Sequence, residues 1–316
     1  MDYDPKIKLL LTLFFREFVE LFYPEFAREI DWSHPVVFLD KELQDILPSR
    51  PLRVVDLLVR IETLSGEPRY CLIHVEIEGR RSRPALAKRL HRYFNRLDEQ
   101  LNLPLMPIAI FLHVGGDGLG WERHEQFCFG HCVNRFEFPY IGLPALDGVQ
   151  YLASDNPVAW ALTGLMNVPA AERARIKAES LRRVERQRME ANQRAVLVNC
   201  VEAFTVLDAE QKREYESLLQ TTDYRKARDM QKTIYDEAAE QGELRGELRG
   251  ELRGELRGEL RGELRAGQRL LLLLLEEKFG KLPDRSRRKI ERMTSDEIEG
   301  VVRRVVTAND RRELGL

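Results

Sequence analysis

Apolar positions recur at helical spacing from Pro5 to Phe26, broken by Arg16, Glu17 and Glu20, and predict an opening amphipathic helix with Tyr23-Pro24 near its end. Val36-Val37-Phe38-Leu39 is a short strand candidate. Two runs rich in β-branched residues then predict strands over Leu52–Ile61 and Tyr70–Glu78, with Ser65-Gly66-Glu67 as the turn between them. Pro84 opens a predicted helix reaching about Gln100, and Pro107–Val114 reads as a buried strand stopped by Gly115-Gly116. A weaker strand signal lies within Phe127–Phe138.

If the two central strands form a hairpin centred on Gly66, facing residues have numbers summing to 132, and Asp56 stands opposite Glu76. Strand alternation puts Val54, Asp56, Leu58 and Arg60 on one face with Leu72, His74, Glu76 and Glu78. The other face is apolar: Val55, Leu57, Val59 and Ile61 against Cys71, Ile73, Val75 and Ile77. The pattern predicts a sheet with one dry side and one side bearing three clustered acids.

From about residue 155 the chain reads as mostly helical. Gly242 to Arg265 is six copies of Gly-Glu-Leu-Arg. In a helix each four-residue step overshoots a turn by about 40°, so the leucines wind around the axis. Each glycine costs about 1 kcal/mol relative to alanine there. The segment reads as a helical spacer supported by partner chains, or as a flexible linker. A small helical module follows over 266–316: a helix Gln268–Phe279 stopped by Gly280, a new start at Pro283, and a capping box of Thr294 with Glu297. The expected parts are therefore 1–150, 151–241, 242–265 and 266–316.

A hydrophobic content of 43% supports an ordinary core, while the net charge of −2 conceals local segregation. Between Arg80 and Leu97 stand Arg80, Arg81, Arg83, Lys88, Arg89, Arg92 and Arg96 with no acid among them. Cys71, Cys128, Cys132 and Cys200 have no disulfide-framework spacing and read as reduced thiols. With His124 and His131, Cys128 and Cys132 lack the paired spacing of a zinc site. No secretory signal is visible, and Leu270–Leu275 is far shorter than the roughly 20 residues of a membrane span. The chain reads as cytoplasmic, with no membrane partner.

Three carboxylates sharing one surface repel one another, and a divalent cation relieves that repulsion. Oxygen ligands suit Mg²⁺ or Mn²⁺, with Asp56, Glu76 and Glu78 as candidate metal-binding and catalytic residues. The competing arrangement pairs Asp56 and Glu76 with arginines such as Arg60 or Arg89. A basic helix beside an acidic metal pocket suits a phosphodiester: Arg89, Arg92 and Arg96, with Tyr93, are the candidate nucleic-acid contacts.

The run from Val54 to Leu97 resembles the core of the Rpn family of recombination-promoting nucleases and putative transposases, within the PD-(D/E)XK superfamily. That family shows an Asp on one strand, Glu-x-Gln on the next, and a helix with Arg and Tyr four apart. Asp56, Glu76, Arg89 and Tyr93 match. Glu78 stands where the family has Gln and the superfamily Lys; it is a third ligand, a general base, or the mark of a weakened site. The superfamily often adds a Glu from its first helix, for which Glu20 is preferred over Glu17.

The resemblance covers about residues 5–150 and implies an α/β restriction-endonuclease-like mixed sheet flanked by helices, followed by a mostly helical C-terminal extension. It implies a divalent-metal-dependent DNA endonuclease associated with recombination or mobile elements. The alternative keeps the fold as a catalytically weak or inactive DNA-binding scaffold. The C-terminal helices are the expected seat of any homo-oligomer.

Overall fold

The computed structural model describes residues 4–39, 55–76, 83–113, 116–305, 308 and 310–315; within these, the side chains of 4, 55, 56, 72–76, 83–85, 238, 241–261, 311 and 312 are outside the description. The chain divides into two compact units, Met1–Ile234 and Tyr235–Leu316.

The expected opening helix is three: α1 (Asp4–Leu13), α2 (Phe15–Phe22) and α3 (Pro24–Ala27). The first break falls at Phe14, whose φ and ψ of −130° and 39° leave the helical region. Sequence neighbours on a straight helix point about 100° apart; with the break, Phe14 and Phe15 are both buried. The second break falls at Tyr23, where Pro24 has no N–H to continue the ladder and instead opens the next turn.

Strands β1 (Val37–Phe38), β2 (Val55–Glu62) and β3 (Pro68–Glu76) pair antiparallel in sequence. Helix α4 (Arg83–Leu101) then crosses to β4 (Leu105–Phe111), which runs parallel to β3. A hairpin of β5 (Leu119–Cys128) and β6 (His131–Gly142) completes a six-stranded mixed sheet of order β1-β2-β3-β4-β6-β5. The weak signal in Phe127–Phe138 thus straddles the turn between two strands, and most of β5, Leu119 to Gln126, has no counterpart in the sequence reading. Its hydrogen-bond partner in the sheet is β6, which also pairs parallel with β4 at Ala109↔Tyr140.

Both faces of the sheet's centre carry buried side chains, beyond the single dry side that was expected. One face carries Leu57, Val59, Cys71, Ile108, Ile110 and Ile141 into a core with α1 and α2. The other carries Leu58, Ala109, Phe111, Phe138 and Tyr140 against Leu86, Leu90 and Leu97 of α4. Both faces of β4 are shielded, as is usual for a strand in parallel pairing.

After the hairpin come α5 (Gly148–Leu152), α6 (Pro157–Leu162), α7 (Arg173–Arg186), α8 (Ala191–Phe204) and α9 (Ala209–Leu219). Their starts follow capping chemistry: Asp147 accepts from Val149 and Gln150, Asn156 accepts from Val158 ahead of Pro157, and Asp208 with Gln211 forms a capping box. Val158, Trp160, Leu181, Leu197 and Phe204 enter the same core as α1, α2 and the sheet. Residue 150 is therefore not a boundary between cores. The helices meet closely: a Cβ on Gly164 would collide with Thr205 Oγ1 and lie 2.6 Å from the Thr205 backbone nitrogen.

Helix α10 (Arg225–Phe279) has continuous helical backbone through the Gly-Glu-Leu-Arg repeat. The second unit buries Leu271, Leu275, Leu282, Ile290, Ile298 and Val301, using α11 (Asp284–Ile290) and α12 (Ser295–Val305). Gly280 stops α10 with φ of 76°, and the Thr294 backbone N–H donates to Glu297 Oε2 at 2.8 Å in the expected capping box.

Candidate functional site

The β2–β3 hairpin turns through Leu64-Ser65-Gly66. Thr63 N–H donates to the Glu67 carbonyl at 3.2 Å, and Gly66 takes φ of 79°. This is a three-residue connection ending in a left-handed glycine. Its centre is Ser65 rather than Gly66, so paired residue numbers sum to 130. Asp56 stands opposite His74, and Leu58 opposite Leu72. The expected Asp56–Glu76 facing pair is thus corrected by two residues. A two-residue shift preserves strand parity, so positions 56 and 76 remain on one face, diagonal across adjacent strands.

Glu76 is the last residue of β3, paired with Phe111 at the end of parallel β4. Both acidic positions therefore lie at the carboxyl ends of the parallel pair, where open α/β sheets commonly bind ligands. Glu78, and Arg80 and Arg81 with it, fall outside the described residues. By strand parity, positions 56 and 76 share the face of Leu58 and Phe111, the face that α4 covers.

Helix α4 displays its cations unequally. Lys88, Arg92 and Arg96 are exposed, Arg89 is half-buried, and Tyr93 packs against the core of this face. Arg60 donates to Glu62 at 3.0 Å.

Sequence reading missed a polar cluster where α4 meets the hairpin. His91 is buried, its Nε2 lying 3.3 Å from Asn95 Nδ2 and 3.1 Å from Asn134 Nδ2. Its ring is 5.5 Å from that of His124 and 5.0 Å from Phe136. Burial, and then the nearby His124, hold the His91 pKa below the usual histidine value. The only sequence signal was a histidine embedded in the basic run of α4.

The first-helix glutamates part ways. Glu20 pairs with Arg16 at 2.7 Å and reads as surface charge. Glu17 is half-buried, and desolvation raises its pKa. Its helix α2 buries Phe15, Phe18, Val19 and Phe22 in the core on the other face from α4. Beside that core lies a half-open, mainly apolar pocket of about 260 Å³, with Phe15, Val19, Ile61 and Met106 in its lining and Glu29 and Arg69 among its polar members.

All four cysteines are free; Cys128 and Cys132 are exposed, while burial pushes the Cys71 and Cys200 thiols up to about 12. Among the described side chains, no three His, Cys, Asp or Glu residues gather as a metal site. The side chains of Asp56, Glu76 and Glu78 are not among those described.

No protein-family model, curated protein or solved structure matches the chain. The nuclease resemblance accordingly rests on the residues between Val54 and Leu97. Among the described residues, no helix is long and apolar enough to cross a membrane.

Proposed function

We propose that the chain is a divalent-metal-dependent endonuclease that hydrolyses phosphodiester bonds in DNA, built on a restriction-endonuclease-like core and related to the Rpn nucleases. One observation carries this reading. Two acidic positions, Asp56 and Glu76, lie diagonally on adjacent strands at the carboxyl ends of the parallel pair, on the face covered by the basic helix α4.

The donor set suits a hard cation. Asp56 and Glu76 would hold Mg²⁺ or Mn²⁺ through carboxylate oxygens, with Glu78 as third ligand or as the base taking a proton from the attacking water. The ion would supply charge stabilisation at phosphate and a more acidic bound water. Arg89, Arg92 and Arg96 would hold the nucleic-acid backbone, and Tyr93 would steady the helix that carries them. The exposed leucines Leu270, Leu273 and Leu274 of α10 support self-association through the C-terminal helices.

The test is nicking of supercoiled plasmid by the full chain with Mg²⁺ or Mn²⁺. Asp56→Ala and Glu76→Ala should each lower the rate about 100-fold or more, since a metal ligand contributes several kcal/mol to the transition state. No nicking with either ion, or equal nicking by Asp56→Ala, overturns the assignment.

A further inference from the structure

The outermost strand of the sheet is long and open. β5 spans ten residues, about 34 Å of strand, and ends the sheet order. Among the described residues, no backbone hydrogen bond from outside the sheet reaches Leu119–Cys128. The one irregularity of the hairpin places its extra residue, Val133, in β6, so β5 keeps unbroken alternation. Its outer face exposes Trp121 at 60% and Phe127 at 64%, with Arg123 and Glu125 between them. Open edges with apolar side chains are templates for strand pairing.

We infer that β5 pairs antiparallel with β5 of a second copy of this chain, about a two-fold axis through His124, joining two sheets edge to edge.

The sequence of the edge is complementary to itself. A two-fold axis perpendicular to a sheet keeps each face on its own side, so paired numbers must sum to an even total. A sum of 248 sets Arg123 opposite Glu125 of the second copy, and Trp121 opposite its Phe127. A sum of 246 instead opposes Arg123 to Arg123, and 250 opposes Glu125 to Glu125; like charges directly opposite are unfavourable.

The neighbouring strand extends the match. Within one chain, Arg123 pairs with Glu137 at 2.7 Å and Arg135 with Glu125 at 2.9 Å. At the 248 register each cross-strand row becomes Glu137, Arg123, Glu125 and Arg135, alternating in sign across both copies. The aromatic pair lies in the adjacent row, beside Pro139, the register partner of Trp121. The surface is independent of the acids at Asp56 and Glu76, so the inference stands apart from the nuclease reading.

The mass of the full chain in solution, measured by light scattering across micromolar concentrations, tests this. The wild type should exceed monomer mass. Trp121→Lys with Phe127→Lys opposes two lysines at both ends of the edge and should halve the mass, with circular dichroism unchanged because both side chains are exposed. Trp121→Lys with Phe127→Glu opposes Lys to Glu at the same register and should restore it. A monomeric wild type, an unchanged mass in the lysine pair, or no recovery in the Lys–Glu pair overturns the inference.

Discussion

The side-chain amide of Asn134, on β6, lies 3.1 Å from Nε2 of His91, on α4. This contact ties the hairpin to the basic helix. A second amide, from Asn95, lies at the same nitrogen, and two amide donors there favour the neutral ring, in which that nitrogen accepts.

The pH consequence follows in sign. The folded pKa of His91 is lowered, first by burial and then by His124. Stability from the neutral ring is therefore full above the unfolded value of about 6.5 and is lost as pH falls through the folded value. An NMR titration should place the His91 midpoint below about 6.5. Asn134→Ala should cost about 1 kcal/mol at neutral pH by denaturant unfolding. A midpoint at or above the usual histidine value contradicts this account.

A buried ion pair anchors the helical layer. Lys177 Nζ lies 2.9 Å from Glu202 Oε2, and Glu202 Oε1 accepts from Gln231 at 2.6 Å and from Tyr215 at 3.3 Å. Glu202→Leu removes the counter-charge of a buried ammonium, leaving it the Thr205 carbonyl and the Tyr215 ring, and takes away the acceptor of Gln231 Nε2; it should cost about 3 kcal/mol. Lys177→Met leaves Glu202 with both remaining donors and should cost less. Urea denaturation of the two variants checks the order; equal costs would refute it.

Gly164 sits where a side chain has no room. Its Cβ would press on the backbone of Phe204 and Thr205 as well as on Thr205 Oγ1, and the backbone cannot swing aside. Gly164→Ala should lower stability by about 1–3 kcal/mol through overpacking, a fall in Tm of roughly 2–4 °C per kcal/mol for a unit of this size. Calorimetry that finds no fall would show that α8 shifts freely.

Arg92 and Arg96 are exposed on α4. Replacing both with Gln should change folding stability by less than about 0.5 kcal/mol each. DNA retention should weaken across all sequences, with the salt slope reduced by nearly 2. Asp56→Ala should leave retention intact while stopping cleavage. Filter binding at several salt concentrations separates the two; an unaltered slope removes these arginines from the interface.

Much of the sheet was legible because β2, β3 and β4 are short, largely apolar runs between turn residues. The register was not, and the reason is local. Gly66 was placed at the centre of the turn, whereas the left-handed position a glycine fills in a three-residue loop is its last. The parity of the acids survived because the error was an even number. β5 was invisible because Glu122–Gln126 is a run of polar helix formers on an exposed edge. Its turn was masked by Phe129, an aromatic at φ of 47° beside Gly130 at 77°. The candidate acids and arginines were readable from spacing, while His91 with Asn134 was not, since their meeting depends on β6 packing beneath α4.

The core shared by the sheet and the later helices has an evolutionary consequence. Leu57, Ile108 and Ile141 rest in the same interior as Val158, Leu181 and Leu197. A gene fragment ending near residue 150 would encode a sheet with one oily flank bare. The acid-bearing half is therefore not portable by itself: moved into another gene, it would have to travel with the helices through Ile234 to keep that flank covered.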